Sequence, residues 1–181
     1  MPGDAPRIEP ATEPAPLIEH LFVSKRFGRP LGTTATLARN PELLLAFDGL
    51  GLHFVRSGLV PAREREVIIL RIAWRTRSIY EFGVHTILGK QAGLRDEEIR
   101  RIGSRLVEEN WSEKDLALLK MTDEIWAEDF VSDSTWAQLE KEWVAAELIE
   151  LVVMAGFYRL AGTFLNTMRV PQEAGVPGWP E

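Results

Sequence analysis

Apolar residues recur at helical spacing along most of this chain. From about residue 17 to residue 169 the pattern is helical, and no clear run of alternating β-branched residues appears. Prolines, polar caps and glycines mark where the first helices begin and end. We place these helices from about Asn40 to Gly58, from about Pro61 to Arg75 and from about Ser78 to Ala92. The pattern predicts an all-α protein.

Four more helical patterns complete this region. They are the short amphipathic LRDEEIRRIG, the Ser112-capped WSEKDLALLKMTDEIWAED, SDSTWAQLEKEW, and the long AAELIELVVMAGFYRLAGTFLNTM. The last of these is apolar on nearly all sides, which is more apolar surface than one small domain can cover. We therefore expect a homo-oligomer (a dimer, trimer or hexamer) in which part of this helix lies at a subunit interface.

Proline-rich segments flank the helical region. Residues 1–16 contain five prolines, and residues 170–181 have a similar composition, so we expect both segments to be extended or disordered. The chain has 181 residues, which is enough for one well-buried core. The predicted organisation is an N-terminal segment (1–16), a single all-helical domain (17–169) and a C-terminal tail (170–181).

Charge and composition exclude several classes of function. The formal net charge is −6, whereas a nucleic-acid partner would require a clustered basic face. No apolar run approaches the roughly 20 residues of a membrane span, and the N-terminus lacks the apolar core of a signal peptide. We expect a cytoplasmic protein with no nucleic-acid or membrane partner. The chain has no cysteine, which removes disulfides, thiolate metal sites and thiol redox chemistry.

One acidic residue lies in an unexpected place on the helix that begins at Pro61. An α-helix turns about 100° per residue, so spacing assigns its faces. Glu66 falls among apolar neighbours. Burying an unpaired carboxylate costs several kcal/mol, so Glu66 must be paired, hydrogen-bonded or protonated. The opposite side, which we expect to face solvent, carries Glu64, Arg71 and Arg75.

Two more titratable residues share the inward face of the next helix. Glu81 and His85 are one turn apart and lie on the same arc as Tyr80. The predicted polar side of this helix carries Gly83, Thr86 and Lys90. Together with Glu66, these residues place three titratable groups toward an apolar interior, which is typical of perturbed pKa values and proton transfer.

The spacing leaves three interpretations open. Glu66 could form a structural ion pair with Arg63 while His85 is a hydrogen-bonded core residue. The three groups could instead transfer protons, or two carboxylates and an imidazole could bind Mn, Fe or Zn. His53 could line the same cavity, whereas His20 belongs to a surface segment.

The same residues resemble a known family. Residues 59–99 read LVPAREREVIILRIAWRTRSIYEFGVHTILGKQAGLRDEEI. This stretch resembles the carboxymuconolactone decarboxylase and alkylhydroperoxidase D superfamily in its R-E-x-x-I-L helix, Tyr-Glu pair, His and A-G-L. The resemblance implies a single-domain helical bundle of the alkylhydroperoxidase D-like type.

The peroxidase branch of that superfamily is excluded by two positions. Its motif is a Glu, eleven residues, C-x-x-C, three residues and a His. Glu66 and His85 match this motif, but Ser78 and Glu81 stand where the two cysteines would be. Because a thiol peroxidase requires a thiolate, we expect no thiol peroxidase activity.

The decarboxylase branch lacks C-x-x-C and keeps a Glu four residues before the His, as in Glu81 and His85. It implies a cofactor-free lyase or isomerase acting on a small carboxylated lactone or a related aromatic-catabolism intermediate, because the unsaturated lactone carbonyl serves as the electron sink. His85 would deliver the proton, with Glu81 or Glu66 setting its protonation state. Neither a cofactor nor a metal is expected. Substrate-binding candidates are Tyr80, Ser78 and His53, with Arg63, Arg71 or Arg75 as carboxylate ligands across a subunit boundary.

Other functions remain open beside this one. A different substrate, an isomerisation or a lactone opening would use the same three groups. The chain could also be a non-catalytic ligand-binding or assembly protein, or a metal-dependent enzyme that uses Glu66, Glu81 and His85.

Overall fold

The computed structural model describes residues 5–24, 28–106 and 108–180, and its regular structure is helical. Apart from an isolated bridge between Ser24 and Arg29, these ranges contain no β-structure. The all-α prediction is confirmed. The helices are α1 (Glu19–Phe22), α2 (Gly32–Leu37), α3 (Pro41–Arg56), α4 (Ala62–Thr76), α5 (Ile79–Gln91), α6 (Asp96–Ile102), α7 (Glu113–Glu128), α8 (Asp133–Leu139) and α9 (Ala145–Met168).

Helix α4 lies at the centre of the fold. Every position from Val67 to Ala73 is fully buried, because α4 packs against α5, α7 and α9 at once. A helix that is covered on all sides requires apolar residues all round rather than a single stripe. The sequence EVIILRIAW meets that requirement except at Glu66 and Arg71. These two charged residues must find partners on the neighbouring helices.

The prediction that Arg71 faces solvent is wrong, because its side chain is fully buried. Its Nε and Nη2 atoms each lie 2.7 Å from a carboxylate oxygen of Asp123 on α7. Its Nη1 donates to the carbonyl oxygens of Ile102 and Ser104, at 2.8 and 2.7 Å. Arg75 bonds to the same carboxylate. The prediction failed because α7 covers this side of the helix, and one helix's spacing does not reveal its neighbours.

Helix α9 corrects the expectation that no apolar run approaches membrane length. By length and composition alone, Ala145–Met168 is long and apolar enough to cross a membrane, and 56% of its most apolar stretch is buried inside the fold. The core helix of a soluble protein has these same properties. The expectation of no membrane partner therefore stays a prediction.

Both proline-rich segments lie against the helical core where they are described. Residues 1–4 and 181 are outside the described ranges. In the N-terminal segment, the Arg7 and Ala11 amides donate to the carbonyl oxygens of Met168 and Ala35, at 3.0 and 2.8 Å. In the C-terminal tail, the ring of Trp179 packs 5.3 Å from that of Trp74. The segments are therefore extended chain that covers the core.

The C-terminal tail also corrects the predicted polar side of α5. Gly83 and Thr86 are buried rather than solvated, because the tail runs across them. A Cβ added at Gly83 would lie 2.2 Å from the carbonyl oxygen of Pro177. Trp179 packs 5.1 Å from Phe82 of the same helix. A glycine at position 83 lets the tail backbone approach this closely.

This contact predicts the effect of Gly83→Ala. The added methyl group cannot coexist with the Pro177 carbonyl, so we expect the tail to be displaced and the protein destabilised by about 1–3 kcal/mol. Urea unfolding, with limited proteolysis of the tail, measures both effects. Gly156→Ala is the matched control on α9, where an added Cβ meets nothing within 4 Å, and it should be neutral or stabilising. Equal stability of the two variants would contradict the close approach.

Candidate functional site

A cavity of about 250 Å³ opens between α3, α5 and α9. This is a small volume, since pockets for drug-sized ligands span roughly 300–1,000 Å³. Its lining is mostly aliphatic and aromatic, and among the described residues it includes no lysine or arginine. Its polar members are Thr33, Thr34, Asp48, Tyr80, Glu81, His85 and Tyr158.

The predicted Glu66 and His85 meet at the wall of this cavity. His85 Nδ1 lies 2.7 Å from Glu66 Oε2, across the contact between α4 and α5. Glu66 is only 1% exposed and lies behind the cavity, whereas His85 lines it. Because Nδ1 is engaged by the carboxylate, Nε2 is the ring nitrogen left for a ligand.

Arg65 anchors the Glu66 carboxylate from the other side. Its Nε donates to Glu66 Oε1 at 3.1 Å. Burial raises the pKa of Glu66, but the charge and hydrogen bond of His85, followed by those of Arg65, outweigh burial and hold the pKa below its usual value. Glu66 is therefore ionised at neutral pH.

The suggested pairing of Glu66 with Arg63 is wrong. Arg63 instead donates to Glu98 at 2.7 Å and to Asp115 at 2.8 Å. Its side chain therefore extends toward α6 and α7, away from α5. On a helical wheel both arginines lie near Glu66, and only the placement of the neighbouring helices decides between them.

Glu81 differs from Glu66 in its partners. It is 4% exposed and lines the cavity, and its Oε2 has no hydrogen-bond partner in the described part of the chain. Gly162 of α9 lets this carboxyl come close, since a Cβ there would lie 3.2 Å from Glu81 Oε2. Burial raises the pKa of Glu81 well above its usual value, which favours its protonated form. Glu66, not Glu81, is the carboxylate bonded to His85.

Tyr158 is a cavity residue that the sequence interpretation missed. It comes from α9, and its ring meets that of His85 edge-on with centroids 5.2 Å apart. Burial raises the pKa of Tyr158 far above its usual value, and the nearby carboxyls of Glu81 and Glu66 raise it further. Its hydroxyl therefore remains protonated. The sequence GFYRLAG gives no signal that separates this tyrosine from an ordinary core residue.

The three predicted substrate-binding residues have different outcomes. Tyr80 lines the cavity, and its hydroxyl donates to Glu173 of the tail at 2.6 Å. Ser78 is fully buried, does not line the cavity, and has an unpartnered Oγ within the described residues. Its assignment as a substrate ligand is not supported by this position.

His53 is not in the cavity, so the idea that it lines the same space is wrong. Its side chain is 49% exposed and its Nε2 lies 3.8 Å from Glu150, in a separate surface depression between α3 and α9. Helix α3 presents Gly51, Leu52 and Val55 to the cavity instead. His53 lies on a different face of α3 from these three residues.

The described ranges contain no set of side chains that could bind a metal ion. No group of three or more His, Asp or Glu side chains lies close enough there to hold a metal ion. The metal-dependent alternative therefore finds no support in how Glu66, Glu81 and His85 are placed.

The two carboxyls should affect stability with opposite signs. The lowered pKa of Glu66 contributes stability that is present above the unfolded pKa and is lost as pH falls through the folded value. The raised pKa of Glu81 contributes stability that is present at low pH and is lost as pH rises. Relative to wild type, Glu66→Gln should therefore become less destabilising as pH falls below about 4.5, and Glu81→Gln more stabilising as pH rises above that value. Thermal unfolding on both sides of that pH checks the two predictions, and a shift in the opposite direction for either variant would contradict the assignment.

Comparison with known proteins shows where this architecture occurs. Residues 41–124, which include Glu66, Glu81 and His85, match the carboxymuconolactone decarboxylase family. Over this segment the chain is similar to the carboxymuconolactone decarboxylase family, and the match confirms the resemblance seen in the sequence. No curated protein matches the chain.

Solved structures with a similar fold cover most of the chain. An alkylhydroperoxidase core protein from Ralstonia eutropha has a TM-score of 0.80 at 16% identity, covering 92% of each chain. A protein of unknown function from Agrobacterium tumefaciens has a TM-score of 0.70 at 20% identity, covering 76% of this chain and 95% of its own. The debrominase Bmp8 in complex with 2,3,4-tribromopyrrole has a TM-score of 0.75 at 14% identity, with 94% and 95% covered. At these identities the likeness concerns the fold.

Proposed function

We propose that this protein is a cofactor-free enzyme that moves a proton on a small organic molecule bound in the cavity. The observation that carries the proposal is the 2.7 Å bond between Glu66 and His85 Nδ1, because it leaves His85 Nε2 for a ligand. The superfamily contains enzymes, which supports catalysis. The chain has no cysteine, so the chemistry is not that of a thiol peroxidase.

Each residue of the pair has a distinct role in this proposal. Nε2 of His85 takes a proton from a carbon next to an unsaturated carbonyl, and the electron pair of the broken C–H bond passes to the carbonyl oxygen. The ionised Glu66 holds the ring through Nδ1–H and stabilises the imidazolium that forms. The imidazolium exchanges its proton with solvent and then delivers a proton to another carbon of the conjugated system. The net reaction is an isomerisation.

A small unsaturated lactone or a related ring compound fits this chemistry. Bmp8, a structural relative, binds 2,3,4-tribromopyrrole, which is also a small ring compound. Decarboxylation of a carboxylated lactone, which the sequence resemblance implied, would need a cation for the carboxylate as well as the proton donor. Isomerisation requires only the proton-transfer pair, so the geometry favours it.

Solvent exchange tests the proposal across a panel of candidate compounds. The protein is incubated in D₂O with small unsaturated lactones and cyclic enones, and deuterium incorporation is followed by mass spectrometry. We expect at least one compound that binds to exchange or isomerise faster than in buffer alone. If compounds bind but none exchanges, the protein is a ligand-binding member of the superfamily instead.

Self-association is a separate part of the proposal. Helix α9 exposes Ile149 (66%), Leu160 (57%) and Val153 (45%), and Leu59 beside α3 is 54% exposed. Apolar side chains on this scale favour burial against another subunit, so we propose a homo-oligomer. Light scattering at micromolar concentration should give a mass of at least twice 20.4 kDa, and a monomer would contradict it. The cytoplasmic location stays a prediction.

A further inference from the structure

We infer that the cavity takes an uncharged, mainly apolar molecule with one carbonyl-type oxygen, which Glu81 and Tyr158 hold by donating hydrogen bonds. This inference rests on the proposed function, since it concerns the same site. It names the class of substrate and two residues that determine specificity, and it departs from the carboxylated lactone of the sequence resemblance.

The cavity offers an anion no counter-charge that is not already paired. Its described lining contains the acidic Asp48 and Glu81 but neither lysine nor arginine, and a positive charge on His85 would be paired with Glu66. An anion buried there would lose its hydration and compete with Glu66 for the imidazole, at a cost of several kcal/mol. An uncharged molecule avoids this cost and gains from contact with the apolar lining.

The arginines proposed to bind a substrate carboxylate are occupied within the chain. Arg71 and Arg75 both bond to Asp123, and Arg63 bonds to Glu98 and Asp115. Arg65, the arginine nearest the site, is bonded to Glu66. Each of these guanidinium groups is already paired with a carboxylate, and none of them lines the cavity.

The cavity does contain two hydrogen-bond donors without partners. Glu81 is buried, with an oxygen that has no partner among the described residues. Tyr158, also buried, lines the same cavity, and no hydrogen bond of its hydroxyl is found among the described residues. Burial raises the pKa of both groups, which favours the protonated forms that can donate. Buried polar groups are normally hydrogen-bonded, and a single acceptor oxygen on a bound molecule would satisfy both.

The arrangement around His85 explains why these donors suit proton transfer. Both line the cavity that His85 lines, and Tyr158 contacts the His85 ring edge-on. When a proton leaves carbon, negative charge develops on the carbonyl oxygen. Neutral donors in the wall of the cavity stabilise that charge with little reorganisation. A buried carboxylic acid that keeps its proton at neutral pH can serve as such a donor.

Three six-membered ring probes separate oxygen recognition from simple apolar binding. Titration calorimetry of the wild-type protein compares cyclohex-2-enone, cyclohexene, and cyclohex-1-ene-1-carboxylate. We expect the enone to bind most tightly, the hydrocarbon more weakly, and the carboxylate weakest. Tyr158→Phe and Glu81→Leu should each weaken enone binding about two- to tenfold, because each removes one neutral hydrogen bond. Cyclohexene binding should not change, which controls for damage to the cavity.

Several outcomes would overturn the inference. These are carboxylate binding at least as tight as enone binding, no detectable enone binding, or a loss in the variants that is equal for enone and cyclohexene. Because the experiment measures binding alone, it is independent of turnover. The expected binding order without deuterium exchange would overturn the proposed proton transfer and leave the assignment of substrate class intact.

Discussion

Replacement of His85 by glutamine is expected to slow deuterium exchange by about 10²- to 10⁴-fold, the contribution typical of a positioned acid–base group. Glutamine is similar in length and keeps a donor for Glu66, but it can neither take up nor release a proton. The rate is measured on the compound that the wild-type protein exchanges fastest. Binding of that compound, measured separately, should change little.

His53→Gln is the matched control for this prediction. His53 is 49% exposed by side chain and lies outside the cavity, so the same chemical change there should leave the exchange rate unchanged. If His85→Gln retained the exchange rate but lowered the melting temperature, His85 would be a hydrogen-bonded core residue. That is one of the three interpretations that the spacing leaves open.

Replacement of Asp123 by alanine should cause the largest loss of stability, about 3–5 kcal/mol. Asp123 neutralises Arg71, which has a fully buried side chain, and Arg75 beside it. Burial raises the pKa of Asp123, but hydrogen bonds from Arg75 and Arg71 outweigh it and hold the pKa below its usual value. Without this carboxylate, a buried guanidinium keeps its charge and loses its counter-ion. Urea unfolding measures the loss.

A surface ion pair provides the comparison for Asp123→Ala. Glu108 pairs with Lys120 at 2.8 Å, and both side chains are substantially exposed. Glu108→Ala should therefore cost less than about 1 kcal/mol. Similar losses of unfolding free energy in the two variants would mean that the buried Arg71–Asp123 pair is no more important for stability than an exposed ion pair.

The sequence predicted that Glu66 and His85 belong to one site because helical periodicity is a local property. Glu66 stands out as an acid within an apolar run, and His85 shares an inward face with Glu81. Both positions follow from spacing within one helix. What spacing could not decide was which carboxylate meets the imidazole. That depends on how α4 and α5 pack, and the structure selects Glu66.

The errors have a common physical cause, which is the arrangement of neighbouring elements. Spacing places Arg71 in solvent because it cannot show that α7 covers this side of α4. Spacing places Gly83 on a polar surface because it cannot show that the tail crosses α5. Tyr158 escapes notice because a tyrosine in an apolar helix has the same pattern whether it fills the core or borders a cavity.

The nitrogen resonances of the His85 ring test the central claim most directly. The chain has three histidines, so ¹⁵N labelling gives few signals, and His85→Gln identifies the relevant pair. The account predicts that Nδ1 carries a proton donated to Glu66, that Glu66→Gln perturbs this signal, and that a bound cyclic enone shifts the Nε2 resonance. An unprotonated Nδ1, or an Nε2 resonance that does not respond to a bound ligand, would contradict a proton-transfer pair at the cavity wall.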